Sequence, residues 1–235
     1  KAEKAAYNDE IKDIKRDVEL VKKSINEALT KKKKYPNIKG YLNLEIASRE
    51  MDVIDDLLKM NDLSVEMLGI KNNSLLENAK KEFHNIIKNM EEVVGKEIDR
   101  SLRENDTYLT LINRLNQGQI LNLIHRIHRV LNDLKNRFGT DSKWKWQFVE
   151  LQARVAVITK NITSFSEVAK FRDPRSEFFY ERRDLMQLCK DSLTEAARQF
   201  RTKYEMAGKA RENLEKSIAY LSALRKIHVL FGEDS

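Results

Sequence analysis

The stretch YNDEIKDIKRDVELVKKSINEA, residues 7–28, decides the fold class. Its apolar side chains fall at Tyr7, Ile11, Ile14, Val18, Val21, Ile25 and Ala28, a spacing that alternates four and three. At about 3.6 residues per turn this spacing puts all of them on one stripe of an α-helix, whereas a half-buried strand would alternate with period two. So narrow a stripe is a seam for a second helix, with the intervening charged residues turned to water.

Working outward, the same spacing recurs. The first stripe ends in Lys31 to Lys34, cations suited to the negative end of a helix dipole or to an anion-binding patch, and Tyr35-Pro36-Asn37-Ile38-Lys39-Gly40 then breaks the chain. A second stripe, Leu44, Ala47, Met51, Ile54 and Leu58, is expected to fray between Asn61 and Lys71, before a cap at Asn73 or Ser74. Leu76, Ala79, Phe83, Ile86, Met90 and Val93 form a third stripe. Its register slips near Gly95 and continues through Ile98, Leu102, Leu109, Ile112 and Leu115, then through Ile120, Leu123, Ile127, Val130 and Leu134. This reads as one long helix with a bend between Asn105 and Gly118. Thr140-Asp141-Ser142 is an N-cap signal for Trp144, Phe148, Leu151, Val155, Ile158, Ile162 and Phe165, a helix that must stop before Pro174.

From Arg175 to Phe231 only Gly208 interrupts the pattern, and the stripe runs Met186, Cys189, Leu193, Ala196, Phe200, Ala207, Ala210, Leu214, Leu221, Leu224 and Phe231. One helix over that span would be roughly 80 Å long at about 1.5 Å per residue. A compact globule of this chain length has a radius of gyration of only about 17 to 18 Å. The sequence therefore predicts an all-α, elongated bundle of about five long antiparallel helices with coiled-coil-like packing, open to curvature. It forms a single domain over 1–235, with a sub-division near 139–141 and a bend near 105–118.

Composition agrees. Seven glycines and two prolines in 235 residues leave few turn signals, so sheet is improbable, while 41% hydrophobic residues suffice for a core. No apolar run reaches the length of a bilayer span. The chain begins at Lys1 without methionine, as a trimmed or mature secreted chain would, and a lone cysteine excludes neither cytoplasm nor periplasm. A net charge of +7, with the two signs well mixed, favours acidic partners only weakly.

Sets of residues that carry chemistry are sparse. His125 and His128 share a helix side but stand among Arg126 and Arg129, whose charge repels a cation, so no metal site is expected. No His has a Glu three residues before it, which removes the helical di-iron pattern, and neither a phosphate-cradling glycine loop nor a G-x-S-x-G elbow occurs. Cys189 sits on the stripe as a small buried hydrophobe. Asp55-Asp56 and Glu91-Glu92 are neighbours that point apart on a helix. The chain is accordingly read as non-enzymatic, with no catalytic residue, cofactor or metal.

Two features suit contact. Between Thr107 and Arg137, Arg114, Arg126, Arg129, Lys135 and Arg137 face a single acid, Asp133, which reads as a positive outer face. Lys143-Trp144-Lys145-Trp146-Gln147-Phe148 and Phe178-Phe179-Tyr180 hold more rings than one stripe can take, so some must turn elsewhere, to a third helix or to a partner. Trp146, Phe178, Tyr180, Arg126 and Arg129 are the candidate partner-binding residues. No compact module that would read nucleic acid is visible.

The basic, long-helical segments, among them Ile112-Asn113-Arg114-Leu115-Asn116 and Ser176-Glu177-Phe178-Phe179-Tyr180, together with the start without methionine, resemble the flagellar coiling proteins of spirochaetes, helical sheath components of the periplasmic filament. That resemblance implies a secreted, periplasmic, non-enzymatic protein that coats a filament and shapes its curvature, and it carries over no site residue. Without it the location would be cytoplasmic. The expected function is a structural or scaffold protein that binds protein partners along a helical surface, homo-oligomerisation staying open. The alternative is a membrane-curvature module of the BAR type, also a basic helical bundle, which would bind an anionic membrane surface.

Overall fold

Ten α-helices and two short 3-10 turns make up the regular structure of the described residues, 2–139 and 142–232, of the computed structural model, and no strand occurs among them. The helices are α1 (Ala2–Glu10), α2 (Lys12–Lys34), α3 (Lys39–Leu68), α4 (Asn73–Val94), α5 (Glu104–Leu109), α6 (Gln117–Phe138), α7 (Lys145–Asn161), α8 (Phe165–Lys170), α9 (Phe179–Met206) and α10 (Arg211–Phe231). The chain divides into two compact units, residues 1–92 with 126–142, and residues 93–125 with 143–235.

In the first unit α2 and α3 form a hairpin through the 3-10 turn Pro36–Ile38, where proline fixes the backbone and removes a donor. The stripe of α1 and α2 is buried as its spacing requires: Tyr7, Ile11, Ile14, Val18, Ile25 and Ala28 are core. Tyr7 donates its hydroxyl to Met60 O at 3.1 Å, and Arg49 Nη1 donates to Ser24 O at 2.8 Å, contacts that pin α1 and α2 antiparallel to α3. The expected fraying after Asn61 does not occur, because α3 runs on to Leu68 and stops at Gly69 in left-handed conformation. Asn61 and Ser64 are buried there with partners, Asn61 Oδ1 accepting from Asn72 N at 3.0 Å and Ser64 Oγ donating to Ile70 O at 2.8 Å. The cap of α4 is Asn72, one residue before the expected position, its Oδ1 accepting from Leu75 N at 3.2 Å.

The long bent helix expected from residue 76 onward is not formed. α4 ends at Val94, and Gly95 takes φ +79°, where an added Cβ would stand 2.5 Å from Arg100 Nη1 and 2.6 Å from Glu97 Oε2. Glycine is needed there twice over, for the positive φ and for the room that Arg100 occupies. Residues 95–103 hold no regular helix, and α6 starts only at Gln117.

In the second unit α7 is buried nearly all round: Val149, Leu151, Ala153, Val155, Ala156, Val157 and Ile158 are core, as are Thr159, Lys160 and Asn161. Its C-terminal carbonyls, which lack helical partners, are met by the segment just described. Asn105 Nδ2 donates to Lys160 O at 3.0 Å and Thr163 O at 3.2 Å, while its Oδ1 accepts from Arg100 Nε at 3.2 Å. The helix ends at Asn161 and does not run on towards Pro174. Thr140 and Asp141 of the expected cap lie outside the described residues, and Trp144 takes the N-cap position without capping the helix through its side chain.

The single helix expected over 175–231 is two. Gly208, at φ +83°, and Lys209, at φ +53°, turn the chain back, so α9 and α10 pack as an antiparallel pair. Ser217 Oγ donates to Ala197 O at 2.8 Å and the rings of Phe200 and Tyr220 stack at 5.8 Å. α7 closes this three-helix core with Val149, Ala153, Ala156 and Val157, packed with Phe165 and Phe200, each ring only 1% exposed and its burial worth roughly 1.5–3 kcal/mol.

Candidate partner-binding surface

The residues read from sequence as a positive outer face are arranged differently. Arg126 and Arg129 lie on the part of α6 that belongs to the first unit, opposite the acidic edge of α3. Arg126 Nη2 meets Asp52 Oδ1 at 2.5 Å, and Arg129 grips Asp55 with two bonds of 3.0 and 2.9 Å. Arg137 does the same to Asp62, with Nε at 2.9 Å and Nη2 at 2.6 Å. The hydrogen bond from Arg137 holds the Asp62 carboxyl below its ordinary value, and the hydrogen bond that Arg129 donates to Asp55 holds Arg129 above its own. The expected positive face is thus largely neutralised by a ladder of α3 carboxylates, whose side chains lie 74 or 75 residues away in sequence.

Of the aromatic candidates, Trp146 is half-buried against the core of the second unit, with Lys145 Nζ 5.3 Å from its ring centroid. Phe178 is also half-buried. It adopts φ +57°, and its ring lies 3.8 Å from where a Cβ on Gly118 would stand, so glycine at that position admits the ring. Of the three rings only Tyr180 points outward, 58% exposed, edge-on to Phe179 at 5.3 Å and beneath Arg183 at 5.2 Å. Arg126 and Arg129 thus serve the α3–α6 ladder of the first unit, while in the second unit Trp146 and Phe178 are half-buried and Tyr180 is exposed.

Cys189, Lys160 and Glu50 are ionisable groups held in the interior of the units. Cys189 is fully buried and its thiol is pushed up to about 12 by that burial, so little thiolate is available for chemistry. Lys160, 0% exposed, donates to Asn161 Oδ1 at 3.1 Å and is pushed down to about 8, chiefly by burial. Glu50, in the first unit, is pushed up to about 8 by burial and then by Glu82. No group of three or more His, Cys, Asp or Glu among the described residues is placed to hold a metal ion, and no described helix is long and apolar enough to cross a membrane.

A surface that the sequence reading assigned to the core lies on α10. Leu214, Ile218, Leu221 and Val229 are 37%, 55%, 50% and 67% exposed. At 100° per residue they share an arc of about 80°. The opposite face, Asn213, Ser217, Tyr220, Ala223 and Ile227, is buried. Leu214 and Leu221, expected on the same seam as Leu224 and Phe231, therefore point away from it, because a helix with two apolar faces offers three-and-four spacings across either. The missed signal was Ile218, which completes the 214-218-221 spacing and has no place on the inner stripe.

No curated protein and no solved structure matches the chain. A family model does, over residues 3–235. The chain belongs to the TP0443 family.

Proposed function

We propose that this chain is a non-enzymatic helical scaffold that binds another protein by seating a partner helix along the outward face of α10. The observation that supports it is the exposed row of Leu214, Ile218, Leu221 and Val229 on a helix whose inner face already has its core. Leaving four aliphatic side chains in water forgoes burial energy that a facing helix would recover, and grooves and helix faces of this spacing are the usual ground for helix recognition. Arg225 lies within the same arc and is exposed, so the face presents a cation among its aliphatic side chains, a complement for an acidic residue on the partner helix.

A narrower form of this reading, a sheath component of a flagellar filament in the periplasm, draws on the sequence resemblance and makes a filament protein the partner. The membrane-curvature alternative needs cations along one face, and Arg126, Arg129 and Arg137 are instead paired with Asp52, Asp55 and Asp62, which favours the scaffold reading.

The test is cross-linking in the native cell, followed by identification of what is captured by the wild-type chain and by the I218E/L221E variant. Loss of a captured protein, with helicity and melting unchanged, is the expected result. A variant that melts far lower would show that the face is part of the core, and an unchanged capture profile would remove α10 from the interaction.

A further inference from the structure

Where the loop after α8 meets the first turns of α9 and the end of α10, the second unit contains a cavity of about 420 Å³. Its apolar wall is built by Phe171, Phe179, Met186 and Phe231, and its polar rim by Arg172, Arg182, Arg183 and Lys190. No carboxylate among the described residues lines it. Of its arginines, Arg183 meets Asp184 at 3.5 Å, whereas Arg182 has only neutral acceptors, unlike the arginines of the α3–α6 ladder, each of which has an acid.

Arg182 is the informative member. It is 6% exposed, with Cζ 4.9 Å from the Phe171 ring centroid. Nη2 donates to Glu177 O at 2.6 Å and to Ser176 Oγ at 3.2 Å, and Nε has no hydrogen-bond partner. A buried guanidinium with neutral acceptors and no counter-charge is unfavourable, and an anion brought beside it relieves that cost. The first turn of α9 adds the positive end of a 28-residue helix. Arg172 stands at the same opening, its guanidinium 5.6 Å from the Phe231 ring. Cations on one rim of an apolar room of this size are the complement of a molecule that is charged at one end only.

We propose that this cavity binds an amphiphile with a single anionic head, a carboxylate or phosphate monoester, its head against Arg172 and Arg182 and its apolar body against Phe171, Phe179 and Phe231. The site is separate from the outward face of α10 and does not rest on the scaffold reading.

Calorimetric titration with sodium decanoate, below its micelle concentration, tests the pairing of head and body, with octanol as a body without charge and inorganic phosphate as a head without body. Saturable one-to-one binding of decanoate is expected, at least about tenfold tighter than either control. Two variants keep the test clear of folding: R172Q/K190Q, which removes charge from the rim, and Q187W, which fills the mouth from an exposed position. Each should weaken decanoate by about tenfold or more while leaving the circular dichroism spectrum unchanged. Sedimentation with phosphatidylglycerol vesicles separates the sources: release of the protein by decanoate identifies a bilayer lipid, and no sedimentation identifies a free amphiphile. The proposal is overturned by no decanoate binding, by binding indifferent to both variants, by phosphate binding as tightly as decanoate, or by vesicle binding that decanoate does not displace.

Discussion

Replacing Glu50 by glutamine should change how the first unit responds to pH while leaving its shape intact. Glu50 is 3% exposed on α3, and its Oε2 accepts from Asn89 Nδ2 at 3.4 Å. Lys32, the cation that acts on it, is turned to Asn89 Oδ1 at 3.3 Å and to Glu92 at 3.0 Å, so the carboxyl has no ion pair of its own. Burial, with Glu82 adding to it, lifts the group from 4.5 to about 8, against the pull of Asn89 and Lys32. The folded chain therefore holds a proton there that the unfolded chain has released, and stability is fully present below pH 4.5 and drains away as pH rises towards 8. At about 1.4 kcal/mol for each tenfold change in proton affinity, the upper bound is roughly 5 kcal/mol. Glu50 also borders a polar cavity of about 370 Å³ shared with Lys22, Lys32 and Lys88, and water there would soften the penalty to about 2–4 kcal/mol. Urea unfolding followed by circular dichroism at pH 5 and pH 8.5 measures it. E50Q should match the wild type within about 1 kcal/mol at pH 5 and exceed it by about 2–4 kcal/mol at pH 8.5. Parallel pH profiles would refute the reasoning, and a variant less stable at pH 8.5 would mean that Lys32 pairs with the carboxylate after all.

Lys160 in the second unit works in the opposite sense. Its folded value lies below 10.5, at about 8, so stability should rise with pH between those limits, and in urea titrations K160M should flatten that rise. Two glycines at positive φ separate strain from crowding. G95A meets Arg100 and Glu97 at once whereas G208A meets nothing within 4 Å, so thermal unfolding should show a loss of about 2–4 kcal/mol for the first and about 1 kcal/mol for the second. A double-mutant cycle on Asp55 and Arg129, a two-bond pair with side chains 36% and 48% exposed, should give a coupling of about 0.5–1 kcal/mol. That coupling should shrink in 1 M salt; a coupling near zero at low salt would leave the α3–α6 ladder without weight.

What the sequence disclosed and what it hid have the same physical origin. The stripe of residues 7–28 could be read because a helix in contact with one neighbour records that neighbour in its own spacing, and its members are buried with the exception of Val21, which is half-buried. α7 has a neighbour on almost every side, and its stripe understated the case: Val149, Ala153, Ala156 and Val157, off the seam, are as buried as those on it. The breaks at Gly95 and Gly208 were hidden because three-and-four spacing resumes after each, and a stripe has no memory of whether the chain has turned back in between. Once Gly208 is seen as the turn of a hairpin, the 80 Å helix that argued for a rod is gone, and α9 and α10 bury each other instead.

Charge shows the same limit more sharply. Counting Arg114, Arg126, Arg129, Lys135 and Arg137 against Asp133 describes one helix in isolation, whereas electrostatics is decided by the helix opposite. Asp52, Asp55 and Asp62 recur at intervals of three and seven on α3, Arg126, Arg129 and Arg137 at three and eight on α6, and that near-match was the available signal for a ladder. With these arginines paired, a basic protein's remaining affinity for anions must be sought where cations gather without acids. Arg182, buried without an acid partner, and Arg172 beside it stand at such a place on the cavity of the second unit, and its apolar wall makes it selective in a way that an exposed basic face cannot be. A plain charged surface would bind phosphate, nucleic acid and anionic lipid alike, with strong salt dependence. A cavity that also requires an apolar body would retain much of its ligand at high salt, so the salt dependence of decanoate binding distinguishes this apolar-walled site from general basicity.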